Sequence, residues 1–474
     1  MPFISRRALM SRGMTVAAIG ALCRSSSWAR VIGEDTSPVH LNVSVDWANV
    51  ISSVSPEMLG LSYESSQLSA PDFFSAANTE LIALFKKLSP QGVLRLGGNL
   101  SEYTVWVSSR TEEKPRIPFR AVGADSGAKK AAMPSPVSVQ AIRNLRDFLE
   151  STGWRAVYGL NLAQADHARV IDEAVFVADT LRARLIAFQI GNEPDHYVMN
   201  GLRAPGYGFQ DYFAEWSRIY DAVRKAVPSA QFAGPDIAED VAWVDAFAKA
   251  APSSVAFLSG HHYAEGPPTD PTMTLERLLS PDPSFNHRLA VTEKIAQEAR
   301  IPYIMAETNS CYNAGKAGVS DVFGSALWAM DYLLQLAQAG TRGVYFHGGA
   351  NSWYTPIAGG SGQPFYARPV YYGLLMCRDL LGSELVSVKV KADAANVSIY
   401  AVQRPKRLVV INKGPGNFTI ELNRGECSEQ VLRLLAPSPE AKTGIKVDLQ
   451  SFHATEKRLF VPKYSATIFD IQSS

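Results

Sequence analysis

Apolar residues along this chain follow two rhythms, and the switch between them divides it. From residue 58 to about 380, short apolar runs ending in glycine or polar turns alternate with longer stretches whose apolar positions recur at helical spacing. The short runs are 58–63, 92–96, 155–160, 185–190, 231–234, 255–259, 302–306 and 343–347. Between them, Val139, Ile142, Leu145 and Leu149 share one helix face, and Gly153 is placed to end that helix. Phe323, Leu327, Met330, Leu334 and Ala337 repeat the pattern ahead of Gly340. Strands alternating with helices predict parallel βαβ units. Eight such units predict an α/β fold, a (β/α)8 TIM barrel spanning 58–380. Beyond 381 the period shortens to two, in 397–402, 407–411, 418–422 and 465–471, with turn signals such as Lys413-Gly414-Pro415-Gly416 between them. This predicts a C-terminal antiparallel β-sandwich domain over 381–474. Residues 40–45 also alternate, so the segment 30–57 is a candidate to cross over and join that sandwich.

Composition narrows the function classes. The chain has 474 residues, 46% of them hydrophobic, and a net charge of +1, so no polyanionic or nucleic-acid partner is expected. The densest basic stretch, 110–130, is diluted by Glu112, Glu113 and Asp125 and reads as a solvated loop. Ser5-Arg6-Arg7-Ala8-Leu9, an apolar run over 14–23 and Ser27-Trp28-Ala29 read as a twin-arginine-type signal peptide over 1–29. That predicts bacterial export, to the periplasm or beyond; a basic N-terminal helix is the alternative. No later apolar run is long enough to span a bilayer, so no membrane association is expected once the leader is gone. With Cys23 removed in the leader, Cys311, Cys377 and Cys427 remain, enough for one disulfide at most. No Cys/His spacing suggests a metal. His261 and His262 are neighbours on a strand and face opposite ways, which suits a packed or hydrogen-bonded pair. Neither metal nor cofactor is expected.

Barrel enzymes carry their chemistry where the strands end. The fourth run leads into Gly191-Asn192-Glu193-Pro194-Asp195 and the seventh into Ala306-Glu307-Thr308-Asn309-Ser310. A glutamate at either place could simply cap the next helix or pair with a basic neighbour. Two facing each other across a barrel mouth suit glycoside hydrolysis, in which one carboxylic acid protonates the leaving oxygen and the other carboxylate attacks the anomeric carbon.

Four motifs in order, Leu94-Arg95-Leu96-Gly97-Gly98, Gly191-Asn192-Glu193-Pro194, His261-His262-Tyr263 and Glu307-Thr308-Asn309-Ser310-Cys311-Tyr312, resemble clan A hydrolases. More narrowly, they resemble glycoside hydrolase family 79, the β-glucuronidase and heparanase family. The resemblance implies a retaining, exo-acting β-glucuronidase working on terminal β-linked glucuronic acid of glycosides or polysaccharides. It makes Glu193 the acid/base and Glu307 the nucleophile. It gives Asn192 the sugar 2-hydroxyl, and lets Tyr263 and Arg95 orient Glu307. It also implies that Tyr312, the loop Asn313-Ala314-Gly315 and Tyr354 hold the uronate carboxylate, with Glu64 and Asn99 on the 3- and 4-hydroxyls. Heparanase-like chains have a glycine run where this chain has Asn313-Ala314, and strong basic clusters are lacking. Another clan A β-glycosidase, such as a β-glucosidase or β-xylosidase, would share both glutamates. A non-catalytic carbohydrate-binding barrel is the alternative from another class.

Overall fold

In a computed structural model of the chain, residues 38–110, 134–164, 166–391, 396–421, 426–456 and 458–473 are described; the stretch 1–29, read from sequence as a leader, and nearly all of 110–130 lie outside them. The apolar runs pair side by side as eight parallel strands of a closed barrel. They are β1 (Leu59–Glu64), β2 (Val93–Gly97), β3 (Arg155–Leu160), β4 (Leu185–Ile190), β5 (Phe232–Ile237), β6 (Val255–Glu265), β7 (Tyr303–Cys311) and β8 (Gly343–Gly348). Three strands, β5, β6 and β7, run well past their sequence bounds. β6 and β7 stay paired from Tyr303↔Leu258 to Cys311↔Glu265, so Glu307 sits inside a strand rather than just past one.

Helices form where the pattern placed them. Helix Val139–Thr152 starts with the Ser138 hydroxyl accepting from the Ala141 amide (3.2 Å) and ends at Gly153, whose φ of 82° only glycine adopts without penalty. Helix Phe323–Ala339 is buried almost all round, beyond the single stripe read from its sequence. The reason is that a second layer covers its outer side.

That layer is a nine-stranded sheet in the order Lys446–Glu456, Glu426–Leu435, Ser465–Ser473, Arg407–Asn412, Val397–Gln403, Glu384–Lys391, Val39–Ser53, Phe418–Glu421, Arg458–Val461. Leu385, Tyr400, Val402 and Ile411 belong to the core shared with the barrel helices, whereas Leu41, Val386, Leu408, Ile420 and Phe469 build a second core. The sheet folds over on itself as a sandwich: Arg433 Nη2, near one end of the strand order, donates to the Phe460 carbonyl on the last strand at 3.0 Å. All pairings are antiparallel except that of Val39–Ser53 with Phe418–Glu421. A buried ion pair ties the layers together: Lys413 Nζ, from the Gly-Pro-Gly turn, meets Asp331 Oδ2 of helix Phe323–Ala339 at 2.5 Å. The Tyr400 hydroxyl donates to the other oxygen at 2.7 Å.

Inside the barrel the side chains form layers, because successive residues on a strand face opposite ways. The floor is Val93, Val157, Ala187, Ala233 and Ile304 around the Tyr345 ring. Two residues further along β2 and β4, Arg95 and Gln189 are fully buried and polar. The site stands on this polar layer.

Candidate active site

Arg95 is the hub. Its guanidinium has no solvent exposure and donates to five groups: Nε to Gln189 Oε1 (2.9 Å), Nη1 to Ser62 Oγ (3.1 Å) and Glu307 Oε2 (2.5 Å), Nη2 to Asn192 Oδ1 (2.7 Å) and Asp236 Oδ2 (2.7 Å). A planar fork of donors can hold acceptors from several strands at fixed angles, as an ammonium cannot. The other oxygen of Glu307 accepts from the Tyr263 hydroxyl at 2.8 Å. Burial works against charge on Glu307, but His347, His261, Arg95 and Tyr263 overcome it and hold its carboxyl well below the usual carboxylate range.

Glu193 follows β4 in a left-handed conformation, φ 49° and ψ 53°. For a residue with a Cβ this costs about 1–2 kcal/mol, so neighbouring bonds must fix it. The Glu193 amide donates to the Asp236 carbonyl at 2.9 Å, and the preceding Asn192 amide to Glu102 Oε1, also at 2.9 Å. One carboxyl oxygen each of Glu193 and Glu307 and a ring nitrogen of His261 lie within 4.8 Å of one another.

His261 bridges two carboxylates, Nδ1 at 2.9 Å from Glu193 Oε1 and Nε2 at 2.9 Å from Asp236 Oδ1. Burial alone would strip its second proton. The fields of Asp236 and Glu307 and the hydrogen bonds to Asp236 and Glu193 prevail, and its pKa is pushed up to about 10. An imidazolium and a guanidinium therefore sit among the carboxyl groups of Glu193, Asp236 and Glu307. The cluster Glu193–His261–Glu307 has the atom spacing of a metal site. A dication there would have to displace the His261 proton and oppose the Arg95 charge 2.5 Å from Glu307. His262 points the other way, its ring stacked 4.2 Å from Phe285.

The remaining sequence candidates surround this centre. Asn192 spends its oxygen on Arg95 and the Gly98 amide (3.0 Å), and its Nδ2 donates to Asn99 Oδ1 at 3.0 Å. Glu64 accepts from the Leu100 amide at 2.8 Å. Burial and the negative field of Glu307 push the Glu64 carboxyl up to about 8, so it carries a proton at neutral pH. Tyr354 is buried, its ring 6.0 Å from that of Tyr263. Tyr312 is 41% exposed and meets the Tyr263 ring edge-on at 6.5 Å. Between these tyrosines, Asn313, Ala314 and Gly315 all have positive φ, at 55°, 69° and 79°. Strain of this kind, about 1–3 kcal/mol for each non-glycine residue, gathers at ligand clamps. At Gly315 a side chain would also strike the Tyr354 amide at 2.8 Å. The Trp353 amide donates to the Ala314 carbonyl at 2.7 Å, joining the loop after β8 to the loop after β7.

Sequence reading missed Asp236, Gln189, Ser62, His347 and Glu102 as site residues. Asp236 lay beyond the end given to the fifth strand, which was drawn only as far as Gly234. His347 faces Ser62 Oγ at 3.0 Å and Glu307 Oε2 at 3.5 Å. Burial lowers its pKa below the usual histidine value, against the opposing field of Glu307. Cys311 and Cys377 are buried free thiols, and the Cys427 side chain lies outside the described residues.

No family model matches the chain. A curated β-glucuronidase of Aspergillus niger is 26% identical over 455 residues, covering 81% of this chain and 80% of the relative. The fold is similar to that of a 4-O-α-L-rhamnosyl-β-D-glucuronidase from Fusarium oxysporum, with a TM-score of 0.68 at 18% identity over 91% of this chain and all of that one. It is similar almost equally to a family 51 arabinofuranosidase from Xanthomonas axonopodis pv. citri, with a TM-score of 0.67 at 14% identity over 92% of this chain and all of that one. The architecture thus serves more than one sugar, and fold alone does not choose between them. Barrel, site and sequence relatives agree with the motif resemblance: the chain is a glycoside hydrolase similar to the β-glucuronidases of family 79.

Proposed function

We propose that this chain is a retaining, exo-acting β-glucuronidase. One observation carries the reading: a carboxyl oxygen of Glu193 and one of Glu307 lie within 4.8 Å of each other, with Glu307 held ionised between Arg95 and Tyr263. Inverting enzymes need about 6.5–9.5 Å between their carboxyls to seat a water, whereas a nucleophile and acid/base pair stand about 5–5.5 Å apart. In the first step Glu307 attacks the anomeric carbon while Glu193 gives its proton to the departing oxygen. In the second, Glu193 takes a proton from water, the water oxygen bonds to the anomeric carbon, and the Glu307 carboxylate leaves. Asn192 can donate its remaining amide hydrogen to the sugar 2-hydroxyl.

The uronate reading rests on the Aspergillus niger relative and on the wall made by Tyr312, Tyr354 and the amides of 313–315. Phenol and amide donors bind a carboxylate by charge-assisted hydrogen bonds without needing an arginine. Glu64, protonated, can donate to a sugar hydroxyl, with Asn99 beside it. Export through the 1–29 leader would put the enzyme where polymeric substrates are. Turnover of aryl β-glucuronide against aryl β-glucoside, with the anomer of the first product read by NMR, tests the proposal. Faster cleavage of the glucoside defeats the substrate assignment, and an inverted first product defeats the mechanism.

A further inference from the structure

The 3-10 turn Asn99–Tyr103 after β2 carries a carboxylate that the mechanism above does not use. Glu102 is 1% exposed, and no cation is among the groups bonded to it. Four donors converge on it instead. Oε1 accepts from the Asn192 amide (2.9 Å) and the Tyr197 hydroxyl (2.6 Å); Oε2 accepts from the amides of Leu162 (3.0 Å) and Ala163 (2.7 Å). Those donors belong to the loops that follow β3 and β4. Asn192 and Tyr197 flank the turn that carries Glu193, and the Tyr197 carbonyl in turn accepts from the amides of Leu202 (2.8 Å) and Arg203 (3.1 Å). Arg203 also donates to the Ala163 carbonyl at 2.7 Å, closing the circuit between the loops.

From this geometry we infer that Glu102 is a positioning residue for the acid/base, pinning both ends of the left-handed Glu193 turn to the neighbouring loop. The inference rests on the reading of Glu193 as acid/base. Only an acceptor-only group with two equivalent oxygens satisfies four converging donors. Glutamine is nearly isosteric, but its NH2 faces two of those donors in either orientation, so one end of the clamp opens. The clamp meets the Glu193 turn directly and reaches Glu307 only through Asn192 and Arg95, so the larger damage falls on proton transfer rather than on nucleophilic attack.

The test uses the full chain and two aryl β-glucuronides, one with an acidic phenol as leaving group and one with an unactivated phenol. Glu193→Gln is the reference and should lose at least about 100-fold more kcat/KM on the unactivated substrate than on the activated one. Glu102→Gln should discriminate in the same direction, by roughly ten- to a hundredfold, since a shift near 1 Å in a reacting group costs about that much. Tyr197→Phe removes one donor of the four and should discriminate less, yet in the same sense. Added azide should raise kcat on the activated substrate in both glutamine variants, because an anionic nucleophile needs no general base. If Glu193→Gln discriminates while Glu102→Gln and Tyr197→Phe lower both substrates equally, Glu102 only supports the scaffold and the inference is overturned. Should Glu102→Gln not fold, Tyr197→Phe decides alone, an equal loss again overturning it. If Glu193→Gln itself shows no discrimination, the acid/base reading fails and this inference fails with it.

Discussion

Asp331 and Lys413 allow a quantitative test of how the two layers are joined. Their side chains are only 4% and 7% exposed, and the N–O distance is 2.5 Å. At an effective dielectric of about 20, attraction at that distance is about 7 kcal/mol. Desolvation costs several kcal/mol for each ion, so the intact pair contributes little net stability. Breaking it is another matter. Asp331→Leu leaves the ammonium buried without a counter-charge and should cost about 3–5 kcal/mol. Lys413→Met should cost less, about 1–3 kcal/mol, because Asp331 keeps the Tyr400 hydroxyl and the Gln335 amide as donors. The double variant Asp331→Leu/Lys413→Met removes both charges and should return to within about 1 kcal/mol of the parent. Guanidinium unfolding, followed together by tryptophan fluorescence and far-UV circular dichroism, measures all four proteins and shows whether barrel and sandwich still unfold in one transition. Losses that add to within about 0.5 kcal/mol in the double variant would refute the reasoning, since additivity means no coupling.

Three further outcomes follow from the same side chains. Glu64 carries its proton up to a pKa of about 8; above that pH a second negative charge faces Glu307 and an incoming uronate, so kcat/KM for a glucuronide should fall through pH 8. Glu64→Gln should flatten that limb, and an unchanged limb would rule Glu64 out as its source. Tyr312→Phe should cost about 1–3 kcal/mol of transition-state binding for a glucuronide and little for a glucoside, as measured by kcat/KM on both. Glu173 is buried with the Tyr158 hydroxyl donating to it at 2.7 Å, and burial pushes its carboxyl up to about 7. A raised acid favours the fold below the unfolded value of about 4.5 and loses that advantage as pH rises through 7. Glu173→Gln should therefore gain relative stability between pH 5 and 8, by roughly 3 kcal/mol at most, in melts across that range.

The barrel was legible because buried parallel strands must be apolar along most of their length, and each of the eight runs announced itself that way. Glu193 and Glu307 stood out because each interrupts or ends such a run. Less could be read of what surrounds them. Asp236 and Glu102 are ordinary acids in sequence, and only the closed barrel brings them against His261 and Asn192. The strand-end rule located residues along each strand but not the layering across the barrel, which gathers Arg95, Gln189 and Ser62 from separate strands. In the sandwich, alternation marked several strands correctly as strands. It could not reveal partners, since a period of two says which face a residue takes and nothing about its neighbour.

One strand has consequences for how the molecule is assembled and how it can be cut. Val39–Ser53 lies in the interior of the sandwich order, with Val43 opposite Val390 on one side and Val39 opposite Phe418 on the other. Both partners are synthesised only after the whole barrel. The earliest-made strand therefore waits with two unsatisfied edges until nearly the last residues arrive, and closing so long a loop is slow. The same threading makes the C-terminal layer inseparable as a genetic module. Truncation before Glu384 would expose both edges of Val39–Ser53, a template for aggregation. A soluble isolated barrel would need that strand deleted or recoded as well, and a transplanted sandwich would have to bring it along.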